Sequence, residues 1–213
     1  GGIDSSVVSA LCANTGRKTI VLTMPIKQIK SQHDLSLSHA KWLKQKFKNV
    51  EHHLLEMDKI FNSFSQVLNK FDNEHGYANS RARLRMATLY QVAAANNGIV
   101  VGTGNKVEDF GVGFYTKYGD GGVDISPIAD LMKSEVHSLA SSLGIDERIL
   151  QAPPTDGLWD DDRTDEIQLG LSYNELEEAM LNEDSINRNK YQKIRKNNIH
   201  KMHSIPVCKI PRA

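Results

Sequence analysis

The stretch GGIDSSVVSALCANTGRKTIVLTM (residues 1–24) passes from a glycine turn through a helix into a strand. Val7, Val8, Leu11 and Cys12 mark one face of a helix, and Gly16 is placed to stop it. TIVLTM (19–24) is a short apolar run rich in β-branched residues, the pattern of a buried strand. Glycines let backbone amides approach an anion, and the following helix aims its free amides at the same spot. Ser5 and Ser6 add hydroxyl donors. Asp4 does not belong beside a phosphate unless a cation intervenes, which points to Mg²⁺ held by hard oxygen ligands. An ordinary Asp at a helix start is the competing reading.

The alternation continues downstream. DLSLSHAKWLKQKF (34–47) reads as a helix and VEHHLLEM (50–57) as a strand. In KIFNSFSQVLNKF (59–71), Ile60, Phe61, Phe64, Val67, Leu68 and Phe71 form a stripe expected to face the core. SRARLRMATLYQVAAANN (80–97) predicts a long helix, and Gly98 leads into a strand at IVVGT (99–103). Strands and helices in this order predict an α/β fold, doubly wound, with a mostly parallel sheet and helices on both faces. Ligands of such sheets lie beyond the carboxyl ends of the strands. That rule singles out the opening loop, the segment after strand 19–24, and GTGNKVED (102–109). Glu108 is the second carboxylate at that end, either a partner of Asp4 on Mg²⁺ or a solvated loop acid.

From Glu108 to Asp124 the periodicity is lost, and YGDGGVD (118–124) is turn chemistry. KSEVHSLASSL (133–143) predicts a helix stopped by Gly144, with Lys133 at its start, where the helix dipole does not favour a cation. APPTDGLWDDDRTDEIQLG (152–170) reads as a surface loop or lid, and its acids Asp160, Asp161, Asp162, Asp165 and Glu166 as solvated rather than metal-binding. Ser172 and Glu175 make a capping box for YNELEEAML (173–181). His33, His39, His52 and His53 show no ligand spacing and read as surface or core residues.

Composition bounds the function. The chain has 213 residues, 39% hydrophobic, which suits one α/β domain spanning 1–213. No apolar run reaches the roughly 18 residues of a membrane span, and no signal peptide is evident, so the expectation is cytoplasmic, with no membrane partner. Cys12 and Cys208 have no paired spacing, which fits a reducing compartment. With 26 basic and 26 acidic residues there is no bulk case for nucleic acid. The acids end at Asp184, and the basic stretch from Arg188 to Arg212 is either a solvated helix and tail or an anion holder.

The opening loop lacks the GxxxxGK[ST] of a Walker A site. It resembles the SGGxDS loop of the ATP pyrophosphatases, which cleave ATP between the α and β phosphates. RARLRM (81–86), VVGTGNKVED (100–109), TKYGDGGVDISPIADLMKSEV (116–136), APPTDGLW (152–159) and HKM (200–202) follow in order. Together they resemble the ammonia-dependent NAD synthetases over essentially the whole chain. The resemblance implies an adenine nucleotide alpha hydrolase-like fold, a homodimer, and ATP, deamido-NAD and ammonia as substrates. It also implies a helix, a strand and a loop Ser ahead of Gly1. It assigns Gly1, Gly2, Ile3, Asp4, Ser5, Ser6, Thr103, Lys133 and Thr155 to ATP, and Asp4 and Glu108 to Mg²⁺. Arg83, Lys117, Asp124, His200 and Lys201 fall to deamido-NAD, and Asp120 to ammonium, with Asp120, Lys133 and Asp4 as the catalytic set.

The segment between Glu108 and Thr116 is one residue longer than in the family pattern, and the tail after HKM departs from it. No glutaminase-like segment is present, which makes free ammonia the expected nitrogen donor. The alternatives are another ATP pyrophosphatase, of amidotransferase or tRNA-modifying type, and a nucleotide-binding module without turnover. The combination of Asp4, Glu108, Lys133 and Asp120 disfavours the last, because a binder needs no ammonium pocket.

Overall fold

The structure is a computed structural model that describes residues 1–159 and 163–211. Asp160, Asp161, Asp162 and Arg212 lie outside the described residues. Helix α1 (Ile3–Asn14) starts from an extended Gly2 and ends with Gly16 at φ +75°, the left-handed conformation its stop position requires. Strand β1 (Thr19–Thr23), helix α2 (Lys30–Lys46) and strand β2 (Val50–Leu54) follow. β1 and β2 pair in parallel, Thr19 opposite Val50 through Thr23 opposite Leu54. With α2 as the crossover this is a β-α-β unit, the α/β expectation in its smallest form.

The predicted strand 99–103 is reduced to one parallel bridge, Val101 to Ile125. The Val100 N–H bonds to the carboxylate of Asp124, remote in sequence, at 2.7 Å instead of entering a ladder. Helix α3 (Asp58–Val67), a 3₁₀ turn (Asn69–Phe71) and helix α4 (Glu74–Ala95) come between. Only Phe61 of the predicted α3 stripe is buried, packed with Ile26 and Met57; Ile60, Val67 and Phe71 are exposed. The periodicity correctly marked a helix, but α3 meets the fold along a single line of contact rather than a broad face.

The irregular stretch predicted after Glu108 begins as a π-helical turn, Lys106–Val112. Helices α5 (Lys133–Leu143) and α8 (Tyr173–Leu181) have their predicted bounds, with Gly144 at φ +75° and the Ser172–Glu175 capping box formed. Two short helices, α6 (Glu147–Leu150) and α7 (Asp165–Leu169), and the long basic α9 (Arg188–Met202) complete the chain. Part of the predicted lid is therefore helical.

Two clusters hold the site in place. Val7 and Val8 of α1 pack with Ile128, Val136, Ala140 and Ile149, which fixes α1 against α5. Val107 and Val112 of the π turn pack with Tyr173, Leu176 and Ala179 of α8 and Tyr191 of α9. Asp4, Glu108, Lys133 and Tyr173 thus sit on elements locked to one another by apolar burial.

Candidate active site

The glycine turn is built tightly. A Cβ on Gly1 would lie 2.9 Å from the Gln32 carbonyl oxygen, so the turn reaches α2 only as glycine. The Ser5 and Ser6 hydroxyls both donate to the Gly2 carbonyl, at 3.0 and 2.9 Å, and in this arrangement they cap the turn. Ile3 packs against the α1–α5 core. The Thr155 hydroxyl accepts from the Gly157 N–H at 3.2 Å, and Gly157 lies against Gln28 beyond the end of β1. Thr103 lies half-buried between the bridge at Val101 and Asn105. The ATP set is thus spread around one end of the β-α-β unit, as the strand-end rule anticipates.

At the centre stands Lys133. Its Nζ donates to Asp4 Oδ2 at 2.6 Å and to Glu108 Oε1 at 2.8 Å, joining α1, the π turn and α5. All three side chains are largely buried. Burial disfavours the Lys133 charge, but Glu108 and Asp4 outweigh it and hold its pKa above the ordinary lysine value. Burial and the neighbouring Glu108 raise the Asp4 carboxyl. Burial would also raise Glu108, yet Lys133 and the hydrogen bonds it receives keep it below the ordinary range. The solvated-loop reading of Glu108 is therefore excluded. The helix-start position of Lys133, unrewarded by the dipole, is explained by its two carboxylates.

Three neighbours of this trio escape sequence reasoning. Asn105 is fully buried; its Oδ1 accepts from the Val107 and Glu108 N–H groups, and its Nδ2 donates to Asp4 at 3.0 Å. The Tyr173 hydroxyl reaches Glu108 Oε1 at 2.5 Å and Asp165 Oδ2 at 3.1 Å. Asp165, assigned above to a solvated lid, is buried, and burial followed by the Glu108 charge pushes its pKa up to about 7. The capping box before Tyr173 is a local signal in the sequence, whereas the π turn that Asn105 caps carries no helical periodicity to announce it. Nothing in the local pattern shows that they converge.

A second cluster surrounds Asp120. Its Oδ1 accepts from the Thr116 N–H at 3.0 Å, so its role in making the turn is real. Burial raises its pKa against that bond. Asp120 also lines a cavity of about 110 Å³ together with Asp109, Tyr115 and Lys201. Asp109, absent from the sequence argument, is pushed up to about 8 by burial and then by Asp120. Lys201 donates to the Gly113 and Tyr115 carbonyls and closes that cavity from α9.

Of the dinucleotide set, Arg83 donates to the Lys117 carbonyl at 3.4 Å, and the Lys117 ammonium donates to the His200 carbonyl at 2.9 Å. With Lys201 beside His200, four of the five residues form a continuous basic edge. Asp124 stands apart, accepting from the Tyr90 hydroxyl and the Val100 N–H. Among the described residues no group of three or more His, Cys, Asp or Glu forms a metal site. No helix among them is long and apolar enough to cross a membrane.

A glycine turn opening a helix at the end of a parallel pair, with a lysine joining two acids beside it, defines an α/β enzyme of nucleotide-phosphate chemistry. The chain belongs to the NAD synthase family, whose model matches residues 1–210. It is 38% identical to the NH(3)-dependent NAD(+) synthetase of Saccharolobus solfataricus, over 97% of this chain and 70% of the relative. Its identity to that of Archaeoglobus fulgidus is 34%, over 99% of this chain and 86% of the relative. For the Sulfurisphaera tokodaii synthetase, 37% identical, the match covers 84% of this chain but only 63% of the relative. Among solved structures, an NMN synthetase from Francisella tularensis matches with a TM-score of 0.88 at 29% identity, over 98% of this chain and 86% of the other. The NH3-dependent NAD synthetase of Campylobacter jejuni matches at 0.77 and 26%, with the same coverage.

Proposed function

We propose that the chain amidates deamido-NAD with ammonia at the expense of ATP, giving NAD, AMP and pyrophosphate through an acyl adenylate. The observation that carries this reading is Lys133 held between Asp4 and Glu108, three residues remote in sequence and brought together by packing. Family membership supports it.

The substrate carboxylate attacks the α phosphorus of ATP, and the bond to the pyrophosphate oxygen breaks. Both reactants are anionic, so the site must supply positive charge before it supplies anything else. The glycine turn and the start of α1 offer backbone N–H groups, and Lys133 offers an ammonium to the departing pyrophosphate. Asp4 and Glu108 suit Mg²⁺, which takes one or two carboxylates beside phosphate oxygens rather than a full protein cage. Both are hard oxygen donors converging on one point, so the residues fit the ion, which would neutralise charge on the phosphates.

In the second step ammonium yields a proton, ammonia attacks the acyl carbon, and the bond to AMP breaks. The nitrogen then loses a further proton as the amide forms. Asp120, which lines a cavity with Asp109 and Lys201, would hold the cation and take a proton. Arg83, Lys117, His200 and Lys201 form the edge that would meet the substrate's phosphates.

A second reading differs in substrate, not in chemistry. The better superposition on the NMN synthetase favours a mononucleotide carboxylate in place of the dinucleotide. One experiment separates the two: the chain is given ATP, Mg²⁺ and ammonium with either deamido-NAD or nicotinate mononucleotide, and the amide and AMP are quantified. Equimolar NAD and AMP are expected with the dinucleotide. Turnover of the mononucleotide alone would replace the first reading, and no AMP with either would reject both.

A further inference from the structure

We propose that Tyr173 is a positioning residue for Glu108, with Asp165 behind it as a neutral acid that donates to the phenol oxygen. This rests on the reading of Asp4 and Glu108 as the carboxylates that take Mg²⁺ with ATP.

The phenol is held from every side. Tyr173 is the first residue of α8, whose start is closed by the Ser172–Glu175 capping box. Its N–H donates to Glu166 Oε1 at 2.9 Å, and its ring packs with Val107, Leu176 and Ala179. The hydroxyl therefore has one position, with Glu108 Oε1 at 2.5 Å and Asp165 Oδ2 at 3.1 Å.

A phenol carries one proton and two carboxyl groups face it. The shorter contact takes that proton, so the longer one is satisfied when Asp165 supplies its own. Among the described residues, Asp165 Oδ1 is buried with no hydrogen-bond partner. An ionised carboxylate with one bare oxygen in that place is costly, whereas a neutral acid leaves only a carbonyl oxygen unmet.

The function of the arrangement follows from what Lys133 is asked to do. Lys133 gives one of its three N–H donors to each carboxylate and has the third for a phosphate oxygen, so it holds Glu108 by a single bond. Its ammonium also lies 4.9 Å from the centre of the Tyr173 ring, so phenol and lysine share one corner of the site. The phenol keeps Glu108 oriented while Lys133 turns to the substrate. Because Asp165 begins α7 and Tyr173 begins α8, these two helices are tied to the phosphate end through these two side chains.

The test is calorimetric titration of Mg²⁺ into the full chain, with an ATP analogue that cannot be cleaved between the α and β phosphates. Removing one hydrogen bond to a charged group predicts that Tyr173→Phe weakens Mg²⁺ uptake at least about fivefold. Asp165→Asn, which keeps a donor to the phenol, should stay within about twofold of wild type, and Tyr173→Phe added to Glu108→Ala should stay within about twofold of Glu108→Ala alone. A general structural role would instead weaken the Glu108→Ala chain by the same factor again, and that outcome overturns the proposal. So does a Tyr173→Phe chain that binds Mg²⁺ as wild type does. If wild type takes up no Mg²⁺ with the analogue, the reading of Asp4 and Glu108 fails and the proposal falls with it. Should Tyr173→Phe not fold, Asp165→Ala decides: weaker uptake than Asp165→Asn supports the proposal, and equal uptake overturns it.

Discussion

Lys133 carries the most weight of any single side chain. Its ammonium is the shared partner of two buried carboxylates, so removing it leaves both acids uncompensated. Breaking a buried charge network of this kind costs about 3 kcal/mol. Lys133→Met should lose that much in denaturant unfolding, and a factor of about 10² to 10³ in kcat/KM if it stabilises the leaving pyrophosphate. A large rate loss with unchanged stability would mean that the network does not support the fold. Asp120 divides the reaction differently. Asp120→Asn removes a carboxylate that would hold ammonium but leaves the ATP end intact. Substrate-dependent pyrophosphate exchange should then survive while amide formation falls at least about tenfold. Equal loss of both half-reactions would remove Asp120 from the ammonium role.

At the scale of elements, α1 and α2 are joined by a buried polar contact. His39 Nε2 lies 2.9 Å from the Ser9 hydroxyl, and the imidazole stacks on Trp42 at 5.5 Å. Burial lowers the His39 pKa to about 4. The unfolded chain, with an ordinary value near about 6.5, binds the proton first, so acid favours unfolding through this residue. The His39 contribution to stability should therefore decline as pH falls from about 6.5 toward 4, by an amount on the order of 3 kcal/mol, against the opposite contributions of Asp109 and Asp165. His39→Gln, which keeps a hydrogen-bonding group without the titration, should remove this acid loss, so that its urea unfolding midpoints gain on those of wild type as pH falls across that window. An unchanged pH slope would show that His39 is not the group responsible. The elements themselves differ in how plainly they were written. α5 and α8 end where the sequence places them, because Gly144 and the Ser172–Glu175 pair are local, strong signals. The strand at 99–103 is nearly lost because the Asp124 carboxylate takes the Val100 N–H, a contact between remote residues that no window reveals.

For the whole molecule, the two clusters that fix α1 to α5 and the π turn to α8 bring four remote segments to one point. The residue types at that point were legible: two acids and a lysine beside a glycine turn. Their contact with Asn105 and Tyr173 was not, because it depends on how α8 packs under the π turn. Asp165 looked solvated for the same reason, since its acid-rich neighbourhood hides a single buried carboxyl. As proposed, this assembly joins a substrate carboxylate to the α phosphate of ATP. This step is tested most directly with deamido-NAD carrying ¹⁸O in its carboxyl group, in the presence of ATP, Mg²⁺ and ammonium. An acyl adenylate requires that each AMP formed carry one substrate oxygen, with none in pyrophosphate. Unlabelled AMP, or label in inorganic phosphate with ADP as the product, would contradict it.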